Sequence, residues 1–270
     1  MKGLSDAAIR ALGIMILDVL TRVVLRDTSC YDIGCVVMGD ISHHDVGATP
    51  DASHGEPNGA LVRRKYLGST AHAKLKQMPL ITYEIRWFLR DQPVPLEAVF
   101  GSDVEPESRT DWYAPVAHAG TGTKLREGRL ETKLRTDAVE TMDYAGCRGA
   151  VERWQKWSAE LPESQPDDTL LMRNGWIPVH KERWMQVWSA EGKDVAAVTH
   201  RVGQGALFEV TRLTVADDTW WTIALEAFGP EGHRHPALER VTHHVLGQLP
   251  DHRRLSLTDS MGYPAWLMTM

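Results

Sequence analysis

The chain has 270 residues, of which 43% are hydrophobic and 24% charged, and a formal net charge of −6. This composition is typical of a globular protein and excludes a collagen-like or strongly disordered chain. The negative charge argues against general binding to nucleic acid, so an anion site would need a local cluster of basic residues. The cysteines Cys30, Cys35 and Cys147 lack a zinc-like spacing, and we expect reduced thiols in a cytoplasmic protein.

The first 77 residues are predicted to form an extension of the main domain. Residues 7–25 are apolar but contain Arg10, Asp18 and Arg22, which favours an amphipathic helix over a transmembrane span. The stretch that follows is rich in Gly, Pro, Asp, Ser and His, so we expect it to be flexible and largely disordered. Either the helix is tethered to bind a partner, or the extension is an accessory upstream of a start at Met78. Because Met78 directly precedes the first clear strand, the pattern favours the accessory.

Residues 78–270 are predicted to form one domain with many strands and few helices. The predicted strands cover 80–90, 109–115, 176–190, 193–200, 207–215 and 220–228, and residues 121–135 form a hairpin that turns at 127–129. Helices are predicted over 149–161 and 236–248, and the aromatic C-terminal tail is expected to pack on the strands. Many strands with short turns favour a barrel or sandwich with covering helices.

Charged side chains alternate with apolar ones along several predicted strands, so each strand has one charged face. These charged positions are Glu84, Arg86, Lys124, Arg126, Glu131, Lys133, Arg135, Lys181, Arg183, Glu209 and Glu226. One interpretation is an open sheet whose charged face lies in water. The other is a closed barrel with the charges inside, because the opposite faces are rich in Trp and Leu that can pack under helices. Enclosed charges of both signs are costly without a ligand or metal, which makes the interior a candidate site.

The charged residue types suit a phosphate ligand. Lys and Arg donate charge-assisted hydrogen bonds to phosphoryl oxygens. Carboxylates in the same space could hold Mg²⁺ or Mn²⁺, and such an ion can polarise a phosphoryl group or position a water molecule.

The run Arg109-x-Asp111-x-Tyr113, followed by residues 123–126 and 130–135, resembles the CYTH superfamily, also called triphosphate tunnel metalloenzymes. The resemblance covers roughly residues 80–230. It implies an α+β fold in which an antiparallel eight-stranded β-barrel forms a tunnel, with triphosphate bound by inward Lys and Arg and metal ions bound by carboxylates.

The resemblance also implies roles for individual residues. The catalytic and metal-binding residues would be Glu84, Glu209 and Glu226. The substrate-binding residues would be Arg86, Arg109, Lys124, Arg126, Lys133, Arg135, Lys181 and Arg183. The sequence departs from the family pattern because Thr82 replaces the first Glu of an early motif and Arg86 replaces its Lys. The carboxylate set is therefore thinner, which weakens the expectation of metal binding.

Two functions remain open at this point. The first is metal-dependent hydrolysis of triphosphate or another phosphoanhydride, and the second is non-catalytic binding of polyphosphate, a nucleotide or another polyanion. Both predict a small anionic, phosphate-containing ligand, with no membrane and no specific nucleic acid as partner.

Overall fold

A computed structural model describes residues 80–137, 139–144, 146–161, 167–249 and 255–270. The helix predicted over residues 7–25 and the flexible stretch up to residue 77 lie outside these ranges. None of the helices within them is both long and apolar enough to cross a membrane.

The described part of the chain consists mainly of strands. The strands are β1 (Leu80–Leu89), β2 (Glu107–Tyr113), β3 (Thr121–Arg126), β4 (Arg129–Arg135), β5 (Glu140–Tyr144), β6 (Cys147–Glu160), β7 (Ile177–Ser189), β8 (Ala196–Val198), β9 (Gly205–Val215) and β10 (Asp218–Phe228). The helices are α1 (Leu96–Phe100), α2 (Asp168–Arg173), α3 (Glu231–Gln248) and α4 (Tyr263–Leu267).

Eight of these strands form a closed antiparallel barrel in the order β1-β10-β9-β7-β2-β3-β4-β6, and pairing of β6 with β1 closes the ring. Strand β5 pairs with the first part of β6, and β8 pairs with the last residues of β7. The predicted eight-stranded barrel is therefore confirmed, and the open sheet is excluded.

The hairpin between β3 and β4 shows why the local sequence folds as predicted. Arg126 pairs with Arg129, which leaves Glu127 and Gly128 as a two-residue turn with φ angles of 47° and 75°. Positive φ at both positions is the geometry that matches the twist of antiparallel strands, and Gly adopts it without steric cost.

Residues 147–160 form strand β6, so the helix predicted over 149–161 is wrong. The spacing of Trp154 and Trp157 suggested a helix, but Trp154 is fully buried whereas Trp157 is only partly covered. Strand β6 hydrogen-bonds to β1 along one edge and to β4 and β5 along the other. Closure of the barrel thus requires an extended backbone here, and tertiary pairing overrides the local pattern.

The outer face of the barrel is apolar and is covered by α3. Ile85 of β1, Phe208 of β9 and Ile223 of β10 pack in one buried cluster with Leu238 and Val241 of the helix. Helix α3 was predicted over 236–248 and begins earlier, at Glu231. Because apolar burial is the main stabilising contribution in folding, this packing holds the charged faces inward.

The C-terminal segment completes the barrel wall between β1 and β6. The Ser260 hydroxyl accepts a hydrogen bond from the Ala150 N–H at 2.8 Å and donates one to the Arg86 carbonyl at 2.9 Å. These backbone groups lie just beyond the last paired residues of β1 and β6. Ser260 therefore bridges the strands where their own pairing ends.

Helix α4 gives the barrel interior an apolar end. Trp266 stacks on Phe88 at 4.6 Å between ring centroids, and Tyr263 meets the same ring edge-on. Val179 and Leu213 belong to the same buried cluster. Because Phe88 lies two residues from Arg86 on the same strand face, the interior changes from apolar near α4 to charged further along.

Candidate functional site

A cavity of about 600 Å³ lies inside the barrel. Ten of the eleven site residues predicted from the sequence line it: Glu84, Arg86, Arg109, Lys124, Arg126, Lys133, Lys181, Arg183, Glu209 and Glu226. Arg135 is not among the lining residues, and its guanidinium instead donates to the Glu152 carboxylate at 2.6 Å. The alternation of charge along the strands, together with the resemblance in the case of Arg109, thus located ten of the 24 described residues that line the cavity.

Asp111 of β2 is the centre of the first group of charges. Its carboxylate is fully buried and lies 2.9 Å from Lys124 Nζ, 2.8 Å from Lys181 Nζ and 3.2 Å from Arg109 Nε. Burial lowers the pKa of both Lys124 and Lys181 to about 8, although Asp111 acts in the opposite direction. Lys124 and Arg109 each have a further carboxylate partner, Glu131 at 3.3 Å and Glu107 at 2.5 Å, whereas Lys181 forms an ion pair only with Asp111 within the described ranges.

Glu209 of β9 is the centre of the second group. Arg86 donates to its carboxylate at 2.9 Å, and Arg183 Nε donates at 3.0 Å. Burial by itself would raise the pKa of Glu209, but Arg86 and Arg183 outweigh burial and lower the pKa well below its usual value. Glu209 is therefore a neutralised, structural carboxylate as it stands.

Glu84 of β1 and Glu226 of β10 belong to the third group, which contains two lysines. Lys133 Nζ lies 2.5 Å from Glu84, and Lys156 Nζ lies 2.7 Å from Glu226 and 4.0 Å from Glu84. Burial would raise the pKa of Glu84, yet Lys133, Lys156 and Arg86 together lower that pKa to about 2. The glutamates and lysines balance each other in formal charge.

Several site residues were missed by sequence reasoning. Lys156 and Glu152 were hidden by the wrong helix over 149–161, although Glu152, Trp154 and Lys156 follow the period of two that signals a strand face. Tyr263 was predicted to anchor the tail, and it does so, but it also lines the cavity. No local signal identified Tyr263, because its position depends on the docking of α4.

The balance of charge and of hydrogen-bonding groups favours an anion. Among the described residues, nine Lys or Arg and five Glu side chains line the cavity, an excess of four positive charges that the buried Asp111 carboxylate reduces to three. Arg86 Nε, Arg126 Nε and the Tyr263 hydroxyl are buried donors that make no hydrogen bond within the described ranges. A ligand with negative charge and acceptor oxygens would neutralise the excess positive charge and would accept hydrogen bonds from these donors.

The predicted metal site consists of three carboxylates, those of Glu84, Glu209 and Glu226. Among the residues that the structure describes, no group of three or more His, Cys, Asp or Glu side chains is arranged to hold a metal ion. Glu84, Glu209 and Glu226 each form an ion pair with a lysine or arginine. These residues therefore do not fit Mg²⁺ or Mn²⁺ as they are arranged, and a metal site there stays a prediction.

Comparison with known proteins adds no further constraint on the site. No family model matches this chain, and the search of curated proteins returned no match. The resemblance to the CYTH superfamily therefore remains a prediction based on the short charged motifs.

Proposed function

We propose that the barrel binds a small polyanion that contains several phosphate groups. The observation that carries this proposal is the surplus of Lys and Arg among the described residues lining the cavity, together with buried donors there that lack an acceptor. Uncompensated charge inside a protein costs several kcal/mol, so the wall is stabilised when an anion binds. Binding of this kind does not depend on the overall charge of −6, since the cations are local.

The size and shape of the cavity favour a chain of phosphates. A volume of about 600 Å³ is within the usual range for sites of small ligands. Its cations come from β1, β2, β3, β4, β6 and β7, so they approach from several directions around the barrel axis. A linear polyphosphate has oxygens pointing outward all along its length and can accept hydrogen bonds from all of these strands.

Metal-dependent hydrolysis of a phosphoanhydride is the second candidate. Glu84 and Glu226 are cross-strand partners, which brings their carboxylates to the same part of the wall. Lys156 lies between their carboxylates and would have to move before a metal ion could bind both, so the arrangement favours binding without a metal.

The decisive experiment is calorimetric titration of the full chain with tripolyphosphate at constant ionic strength, together with Lys124→Gln and Lys193→Gln. Lys124 lines the cavity and contacts Asp111, whereas Lys193 is exposed outside it. We expect Lys124→Gln to weaken binding by about tenfold or more, the value of one charge-assisted hydrogen bond. Lys193→Gln has the same charge change and should bind within about twofold of wild type.

Absence of tripolyphosphate binding, or equal weakening by both substitutions, would contradict the proposal. Phosphate release from tripolyphosphate should be measured in parallel with Mg²⁺, with Mn²⁺ and with EDTA. Metal-stimulated release that is lost in Glu84→Gln would establish the hydrolase instead.

A further inference from the structure

Three glutamates form a row across neighbouring strands of the barrel. In the register of the sheet, Glu84 of β1 pairs with Glu226 of β10 on one side and with Glu152 of β6 on the other. Paired strands lie about 4.8 Å apart, and like charges directly opposite each other destabilise a sheet. The row is therefore stable only if cations compensate it.

Lys156 supplies this compensation between two members of the row. It lies four residues after Glu152 on β6, and its Nζ is 2.7 Å from Glu226 and 4.0 Å from Glu84. In the described part of the chain it is the only lysine or arginine that forms an ion pair with Glu226. Glu84 has a second partner in Lys133, and Glu152 is bonded to Arg135.

The Lys156 ammonium lies between two carboxylates, which are the ligand type that a hard divalent cation binds. A hard cation such as Mn²⁺ binds carboxylate oxygens from neighbouring side chains, and its affinity increases with the number of ligand charges. An ammonium group between two carboxylates neutralises those charges, fills the space and repels a second cation. Burial would lower the pKa of Lys156, but Glu226 and Glu84 outweigh it and raise the pKa, so the group stays charged.

We propose that Lys156 is a built-in cation that replaces a divalent metal ion in this carboxylate row. The cavity then takes its anionic ligand without a metal, and a divalent-cation site appears only when the lysine is removed. The statement about the ligand rests on the function proposed above, whereas the statement about the cation does not.

The proposal that Lys156 replaces a divalent ion is tested by titrating the full chain with Mn²⁺ and no other ligand. The electron paramagnetic resonance signal of free Mn²⁺ measures how much of the ion is bound. Lys156→Gln removes the charge and leaves an amide oxygen beside Glu226. We expect it to bind Mn²⁺ at least about tenfold more tightly than wild type, because the local ligand charge becomes more negative by one. Lys156→Arg keeps the positive charge and should bind as weakly as wild type.

The double variant Lys156→Gln/Glu226→Gln locates the gained ion. It should lose the Mn²⁺ affinity that Lys156→Gln acquires, because the carboxylate of Glu226, one of the two beside position 156, is gone. Equal Mn²⁺ binding by wild type and Lys156→Gln would overturn the proposal. Circular dichroism checks that the variants are folded. If Lys156→Gln does not fold, the Mn²⁺ affinity of the wild type is the test. Tight Mn²⁺ binding by the wild type that is lost in Glu226→Gln overturns the proposal. Absence of tight Mn²⁺ binding by the wild type supports it.

The ligand statement is tested by calorimetry with tripolyphosphate in EDTA. Wild type should bind in EDTA, and Lys156→Gln should bind at least about tenfold more weakly there, with affinity recovered when Mn²⁺ is supplied. No tripolyphosphate binding by wild type under either condition contradicts the proposed function but leaves the Mn²⁺ titration intact. Wild-type binding that requires Mn²⁺ supports the ligand and overturns the built-in cation.

Discussion

Asp111 is fully buried within contact distance of Lys124, Lys181 and Arg109. Removing one charge from a buried group lowers the free energy of unfolding strongly, because the remaining charges stay unpaired in a medium of low polarity. Asp111 is thus a common partner of three cations of the cavity wall, and we expect it to hold them in position.

Asp111→Asn should lower the free energy of unfolding by about 3–5 kcal/mol, because the buried Lys181 would lose the one carboxylate that pairs with it in the described ranges. The matched control is Glu182→Gln, since Glu182 pairs with the half-exposed Arg212 on the outer face and should contribute less than about 1 kcal/mol. Urea denaturation measures both. Tripolyphosphate should restore part of the loss in Asp111→Asn, and equal effects of the two substitutions would contradict this account.

The affinity for tripolyphosphate should fall as the pH rises above about 8. Lys124 and Lys181 both have a pKa of about 8 in the free protein, so they lose their charge at that pH, and a bound polyanion favours the charged form. Binding near pH 8.5 should therefore take up protons, which calorimetry in two buffers of different ionisation enthalpy detects. Lys124→Gln removes one of the two titrating groups and should reduce the pH dependence. An unchanged pH profile in that variant would refute the assignment.

At the scale of elements, β6 has the largest effect on the site. It closes the barrel and brings Glu152, Trp154 and Lys156 to the interior, and Lys133 Nζ lies 3.9 Å from the centre of the Trp154 ring. The first residues of β6 also pack tightly against β1, where the Trp87 indole N–H donates to the Arg148 carbonyl at 2.8 Å. Strand β6 therefore contributes one face to the apolar exterior of the barrel and the other face to its charged interior.

Gly149→Ala should destabilise the barrel by about 1–3 kcal/mol through overpacking. A methyl group at Gly149 would lie 2.3 Å from Trp87 Cζ2 and 2.5 Å from Ile85 Cδ1, which leaves no room for it. The control is Gly232→Ala in α3, where the same methyl group would meet nothing within 4 Å and should be neutral or stabilise the helix by up to about 1 kcal/mol. Thermal denaturation compares the two, and a neutral Gly149→Ala would show that β6 packs differently.

At the scale of the whole molecule, the buried carboxylates couple folding to pH. Glu84 has a pKa of about 2, compared with 4.5 for an ordinary glutamate, and the pKa values of Asp111, Glu131 and Glu209 are also lowered, whereas burial raises the pKa of Glu152. A carboxylate whose pKa is lower in the folded state stabilises the fold above its unfolded pKa. This contribution disappears as the pH falls towards the folded value.

The stability of the protein should therefore decline from just below pH 5 towards pH 2. The pKa shift of Glu84 corresponds to about 3 kcal/mol of this loss. Urea denaturation at a series of pH values measures the decline, and Glu84→Gln should show a shallower slope than wild type. A free energy of unfolding that is constant between pH 5 and pH 3 would show that these ion pairs do not stabilise the folded state.

The sequence by itself determined which faces of the strands carry charge and where the hairpin of β3 and β4 turns. Both are local properties, since side chains alternate along a strand and the turn at Gly128 depends on neighbouring residues. The alternation therefore identified ten of the residues that line the cavity.

Only the tertiary structure decided which charges are partners and which segments complete the barrel. Lys156 meets Glu226 across a sequence separation of 70 residues, and Tyr263 reaches the cavity because α4 docks at one end of it. Such contacts depend on the register and closure of the whole sheet, which no local pattern encodes. The period of two at Glu152, Trp154 and Lys156 is a local strand signal in β6, but the pairing of both its edges decided between strand and helix.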